Sequence, residues 1–261
     1  MDVDADVEEH GDLSRAPDSY PGTPTSSPTL LLASCRHPVR PHARRPLPQA
    51  GTESCPDCAA AAPEAARSPL STALRRVGAQ PLGSRTAVVA VGSNASPAVM
   101  RHKLSSRGVS PVVPMITGVV RNLAVVHSAH VSRGGYVPAA PMHSPGARGA
   151  VVVQFLDDDQ LAAVDTTEPN YERVPLDPAR YPLVLSGGQR PWQPWIYATR
   201  RGVLRLPGLG ARLVPQAELR AVLGPHGVRT GLDRVEGDRG LAHLASPHGL
   251  IARPHPRRRP R

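Results

Sequence analysis

A chain of 261 residues with a formal charge of +10 has the length for one sizeable domain or two small ones. Its 31 prolines and 23 glycines, set against two Trp, five Tyr and a single Phe, exclude a packed core along the whole chain. Charge is spread unevenly: residues 1–20 carry seven acids and one arginine, and the last nine residues carry five arginines.

The basic residues are arginines apart from Lys103, a bias that fits a GC-rich coding sequence better than selection for nucleic acid. The tail Arg257-Arg258-Arg259-Pro260-Arg261 offers non-specific charge neutralisation to nucleic acid or to an anionic membrane. Trp192 and Trp195, the residues suited to base stacking, lie far from it in sequence, so nucleic acid is not the expected partner. Cys35, Cys55 and Cys58 do not make a disulfide framework. The acidic start lacks the apolar stretch of a signal peptide, and no apolar run approaches the ~20 residues that cross a bilayer. The expectation is a soluble cytoplasmic protein with no membrane partner.

Residues 1–85 read as a disordered, low-complexity region of acids, Ser/Thr-Pro pairs and Arg-Pro clusters with no sustained period. Leu30-Leu31-Leu32 is an apolar knot too short to seed a core. Cys35, His37, Cys55 and Cys58 are four potential zinc ligands, but the spacing is no familiar finger and chance thiols are the simpler reading. Structure is expected from Thr86-Ala87-Val88-Val89-Ala90-Val91, a β-branched run of buried-strand length. Gly92-Ser93-Asn94 breaks it, and Ser96-Pro97 reads as an N-cap with proline at the first helical position, opening a helix that stops near Gly108. A loop so placed presents N–H groups at the positive end of a helix dipole, which suits a carboxylate or an oxyanion; an ordinary strand-to-helix turn is the plain alternative.

Val112 to Val126, marked by Gly118, predicts a strand with a bulge or two short strands. His127 to Arg148 predicts a loop in which His127, His130 and His143 face solvent, none having the spacing of a metal motif. Gly149 to Leu156 is the clearest strand, and Asp157-Asp158-Asp159 caps a helix with an acidic first turn. That helix ends in Asp165-Thr166-Thr167-Glu168, where Pro169 forbids continuation and biases Glu168 toward an extended backbone. Further strands are predicted within Tyr171–Leu176, Tyr181–Leu185 and Pro194–Thr199. Residues 86–206 are thus expected to form the domain. Residues 207–261 are expected to form a weakly ordered basic tail, with a short helix conceivable at Gln216 to Leu223.

These pieces together resemble the gamma-glutamylcyclotransferase family. That family opens with a strand and a Tyr-Gly-Ser-Asn loop leading into a helix. Later come a Pro-Gly turn, a Val-rich strand, and a short helix ending in Leu-Asp-x-x-Glu-Gly before a Tyr-containing strand. Here the loop is Val91-Gly92-Ser93-Asn94, and the later part is Ser144-Pro145-Gly146, Gly149 to Leu156, Val164-Asp165-Thr166-Thr167-Glu168 and Tyr171. The order agrees over about residues 86 to 200.

The resemblance implies an α+β fold, a small mixed β-barrel with a few packed short helices, flanked by disordered tails. It also implies a reaction in which the α-amine of a γ-glutamyl group attacks its own γ-carbonyl, giving 5-oxoproline and a released amine. An α-ammonium is no nucleophile until a base takes its proton, and Glu168 matches the family's catalytic glutamate. A carboxyl in a partly buried setting titrates nearer neutrality, which lets one group take a proton and return it. Val91, Gly92, Ser93 and Asn94 would hold the γ-glutamyl moiety, with Tyr197 on a late strand. No metal or organic cofactor is implied, and the partner is a small γ-glutamyl compound. Two positions depart from the pattern: Val91 replaces the loop tyrosine, and Pro169 replaces the glycine after the glutamate. The alternative is a non-catalytic binding or structural module on the same fold. In that case Glu168 is a surface carboxylate loosely paired with Arg173, and in either case Asp165 ties the helix end.

Overall fold

A computed structural model describes residues 11–32, 36–40, 49–50, 70–204 and 211–226. The N-terminal part contributes β1 (Thr29–Leu31), β2 (Arg36–Arg40), β3 (Gln49–Ala50) and helix α1 (Leu70–Arg76). Then come β4 (Thr86–Ala90), α2 (Pro97–Ser105), β5 (Val113–His127), β6 (Ala139–Leu156) and α3 (Asp158–Thr167). The chain continues through β7 (Tyr171–Pro175), β8 (Leu183–Leu185), β9 (Trp195–Thr199) and α4 (Gln216–His226). The strands make one mixed sheet in the order β3-β2-β1-β5-β6-β4-β9-β7, with β8 added on β5.

β4 shows why its apolar run needs no polar partner face. Ala87 and Val89 point into one core with Leu74, Val153 and Ile196. Val88 and Ala90 point into another with Met100, Leu104 and Val164. With β6 antiparallel on one edge and β9 parallel on the other, the strand is enclosed on all sides. That is the setting in which continuous apolar strands occur. α1 covers the first face, and α2 and α3 cover the second.

The helix signals read from sequence hold. Ser96 caps α2 by accepting from the Val99 N–H at 3.5 Å. Asp157 and Gln160 form a reciprocal capping box on α3, with bonds of 3.0 and 3.2 Å. The expected bulge is also present, between Arg121 and Leu123 of β5. Asn122 takes φ 59° there, and its amide bonds Arg180 O and the Gly146 N–H at 2.8 and 2.9 Å. Gly118 serves a different purpose. A Cβ there would lie 2.8 Å from Val184 O, so its absence lets β8 pack close against β5.

Five expectations are corrected. A bulge bends a strand, but β3 and β7 do not pair with each other, so the sheet stays open among the described residues and no barrel is seen. The mixed α+β architecture stands. The described residues before 86 are not structureless: Leu30 and Leu31 are fully buried because β1 pairs with β5 and sends one leucine into each core. The knot that is too short alone is long enough as one strand of a larger sheet. Residues 139–148, expected as loop, extend β6, since the bulge lets the hairpin continue past the first set of pairs. His127, expected in solvent, is 3% exposed, and its Nε2 accepts from the Val214 N–H at 3.1 Å. That contact belongs to the last correction: Val214 and Leu219 are buried against Val137 and Leu204, so residues 211–226 are part of the packed body. Cys35, Cys55, Cys58 and the terminal arginines lie outside the described residues. No helix among the described residues is long and apolar enough to cross a membrane.

Candidate active site

β4 delivers the chain to Val91 and Gly92 at the edge of the α2–α3 face. A 3-10 turn, Ser93–Ala95, follows, closed by Ala95 N–H to Gly92 O at 2.8 Å and Ser96 N–H to Ser93 O at 3.0 Å. The first donors of such a turn have no partner within it. Gln154, fully buried on β6, donates through Nε2 to Asn94 O and so fixes the turn to the sheet.

α3 brings the second half. It stops at Thr167, Pro169 preventing continuation, and Glu168 sits at its C-cap with φ −116° and ψ 50°. Its N–H bonds Asp165 O at 3.2 Å and its carbonyl accepts from Tyr171 N–H at 2.9 Å. The side chain reaches across to the turn: Asn94 Nδ2 donates to Glu168 Oε1 at 3.0 Å. Lys103, on α2, donates to the same Oε1 at 2.7 Å and to Asn94 Oδ1 at 2.7 Å. The Glu168 and Lys103 side chains are 13% and 16% exposed. One ammonium thus ties the turn to the carboxylate.

Turn and carboxylate line one cavity of about 500 Å³. Val91, Gly92, Ser93, Asn94, Tyr197 and Glu168, all named from sequence, border it. The solved structures that this chain resembles include a gamma-glutamyl cyclotransferase. That likeness has a TM-score of 0.34 at 16% identity, covering 44% of this chain and 67% of that one. An uncharacterised human protein gives the same values. A protein of Arabidopsis thaliana gives a TM-score of 0.34 at 18% identity, over 45% of this chain and 70% of that one. No protein-family model matches the chain, and no curated protein does either. At these identities the likeness says nothing of residues or chemistry, which stand on the geometry of the cavity.

Arg173 does not pair with Glu168. It grips Asp165 through Nε and Nη2, both at 3.0 Å, and Tyr197 donates its hydroxyl to Asp165 Oδ1 at 2.6 Å. Burial works against ionisation of the Asp165 carboxyl, but the bonds from Arg173 and Tyr197 outweigh it and hold the carboxyl below its usual range. Asp165 therefore ties the end of α3 to β7 and β9, and Tyr197 borders the cavity with its hydroxyl already committed.

The cavity is also lined by Tyr20 and Tyr136, which sequence reading missed, by Tyr171, which it placed on the strand after Glu168, and by His130, which it expected in solvent. Burial pushes the three phenols above their usual range, so each stays neutral near pH 7. His130 is lowered to about 4, chiefly by burial, with Arg201 adding repulsion and Glu168 opposing both. Its Nδ1 lies 2.8 Å from Ser128 Oγ. Two signals in the sequence pointed here. Lys103 is the single lysine in a chain of arginines, and Tyr20 is an aromatic in a stretch otherwise poor in them.

Glu168 is the acid of the described lining, against Lys103, Arg107 and Arg133. The cavity therefore suits an anionic guest. Among the described residues no group of three or more His, Cys, Asp or Glu is placed to hold a metal ion.

Proposed function

We propose that this chain is a gamma-glutamylcyclotransferase-like enzyme acting on a small γ-glutamyl amine or dipeptide. One observation carries the reading: the Gly92-Ser93-Asn94 turn and Glu168, 74 residues apart from Asn94, meet at 3.0 Å on the wall of one cavity. General-base catalysis demands that geometry before any matching of pKa.

In the proposed reaction Glu168 removes a proton from the substrate's α-ammonium. The freed amine attacks the γ-carbonyl carbon, forming the lactam C–N bond, and negative charge develops on the carbonyl oxygen. N–H groups of the turn are the donors nearest to receive it. The amide C–N bond to the leaving group then breaks as the proton held by Glu168 goes to the departing nitrogen. The second proton shed by the ring nitrogen follows through the same carboxylate, so the products are the neutral lactam and the amine in its ammonium form. Arg107 and Arg133 at the cavity supply cations for the substrate's α-carboxylate.

The test is 5-oxoproline release by wild type and Glu168→Gln on γ-glutamyl dipeptides, γ-glutamyl amines and glutathione. Loss of the base should lower kcat by about 10² to 10⁴ while circular dichroism is unchanged. A Gln variant that turns over at the wild-type rate overturns the role of Glu168.

A second reading, a non-catalytic binding or structural module, has its own support. Lys103, Asn94 and Thr167 all direct donors at Glu168 Oε1, as they would if the carboxylate were a structural strut. Wild-type protein that binds γ-glutamyl compounds, or none, without turning any over favours this reading.

A further inference from the structure

Tyr20 comes from a segment well outside the strand–turn–helix unit, yet it borders the cavity beside Gly92. Its hydroxyl accepts the Ala139 N–H at 2.7 Å, and the Ala139 carbonyl accepts from the Tyr171 hydroxyl at 2.8 Å. The two peptide groups that flank Ala139 at the start of β6 are therefore each held by a phenol. The Tyr20 hydroxyl also fills the notch between β6 and the turn. A Cβ on Gly92 would come within 2.5 Å of that oxygen and 3.0 Å of the Ala139 Cβ. The ring stacks on Tyr136 at 4.3 Å and 16°.

The segment carrying Tyr20 is fastened on several sides. Leu13, Ala16 and Tyr20 pack on Val99 of α2. Thr25 N–H donates to Ala95 O at 3.1 Å, directly on the 3-10 turn, and Asp18 pairs with Arg220 of α4. Gly11 lies so close to Ala98 O that any side chain there would collide with α2.

We propose that Tyr20 is a positioning residue of the site: its hydroxyl, wedged between Ala139 and Gly92, sets the place of the Gly92-Ser93-Asn94 turn against the cavity. The wedge is the hydroxyl and not the ring, since the ring carbon bearing it would be 3.6 Å from a Gly92 Cβ, an ordinary contact. A purely structural aromatic would tolerate Phe, which keeps the ring and its stacking on Tyr136. The effect on KM rests on the cyclotransferase reading; the effect on the turn does not.

The test compares wild type, Tyr20→Phe, Gly92→Ala and the double variant. Amide hydrogen exchange by NMR reads the turn directly. Tyr20→Phe should speed exchange at Ala139, which loses its acceptor, and at residues 93–95, which lose their buttress. With L-γ-glutamyl-L-alanine as probe, Tyr20→Phe should raise KM about five- to tenfold, the worth of one hydrogen bond, with kcat little changed. Gly92→Ala should be less stable than wild type, and adding Tyr20→Phe should restore part of the loss by removing the colliding oxygen. Exchange at residues 93–95 that is the same in wild type and Tyr20→Phe overturns the proposal, whatever the activity. So does an active wild type whose KM is unmoved in Tyr20→Phe. A wild type inactive on every γ-glutamyl compound sinks the cyclotransferase reading instead, and the exchange and stability comparisons still decide the role of Tyr20.

Discussion

Lys103→Met is the sharpest probe of the site. The Lys103–Glu168 pair is 2.7 Å long with side chains 16% and 13% exposed, so both charges are largely withdrawn from water. Removing one partner of a fully buried pair costs about 3–5 kcal/mol, because the other charge is left uncompensated. Residual exposure and the retained Asn94 bond reduce that to about 2–4 kcal/mol here. At about 2–4 °C per kcal/mol for a domain of this size, the melting temperature should fall by roughly 5–15 °C. Glu168→Gln alone strands the ammonium instead. The double variant strands neither, so it should be more stable than the sum of the singles predicts, by about 1.5–3 kcal/mol. Urea unfolding of the four proteins measures that coupling. Single effects that add to within about 0.5 kcal/mol would show that the pair is not a buried unit, and the geometry argued for the site would fall with it.

Acid sensitivity should be traceable to His130. Its folded value near 4 lies below the ordinary 6.5, so between those pH values the unfolded chain binds a proton that the folded chain refuses. Stability from this group is therefore full above about pH 6.5 and is lost as pH falls toward 4. His127, lowered in the same direction by burial, adds to the slope. His130→Gln should flatten the drop in urea midpoint between pH 7 and pH 5, and an unchanged slope would assign it elsewhere. Leu30→Ala tests the N-terminal contribution to the core. A fully buried leucine in a strand paired with β5 should cost about 2–5 kcal/mol in urea unfolding, whereas a structureless segment would give no change.

What could be read from the residues alone was whatever is encoded locally. The Ser96-Pro97 cap, the Asp157–Gln160 box and the β-branched run of β4 each specify their element within a few residues. Glu168 and the Gly92-Ser93-Asn94 turn could be named because each lies where an element must end. What joins them could not. Lys103 reaches both through space, and nothing in its helical neighbours marks that face of α2 as a bridge. Tyr20 and Leu30 fail differently. Their surroundings in sequence are proline-rich and polar, so a lone tyrosine and a three-leucine knot were too little to reveal burial that arises from β5, β6 and α2. The same blindness to distant partners made β6 too short, since its first half is held as strand by pairing with the far side of a bulge in β5.

The parallel pairing of β4 with β9 bears on how the molecule comes into being. Val88 and Trp195 are more than a hundred residues apart in sequence, whereas β5 and β6 are joined by a short connection. Local hairpins close early and distant pairings late. On a ribosome, the turn at Gly92 and the carboxylate at Glu168 both emerge before β9 exists. Until Trp195–Thr199 inserts, β4 and β7 each present an unpaired edge, the kind of surface that invites association with other chains. Among the described residues β9 is the last strand in the chain, and its insertion covers one edge of β4 and one of β7 while bringing Tyr197 to Asp165, so that side of the cavity closes as those two edges do.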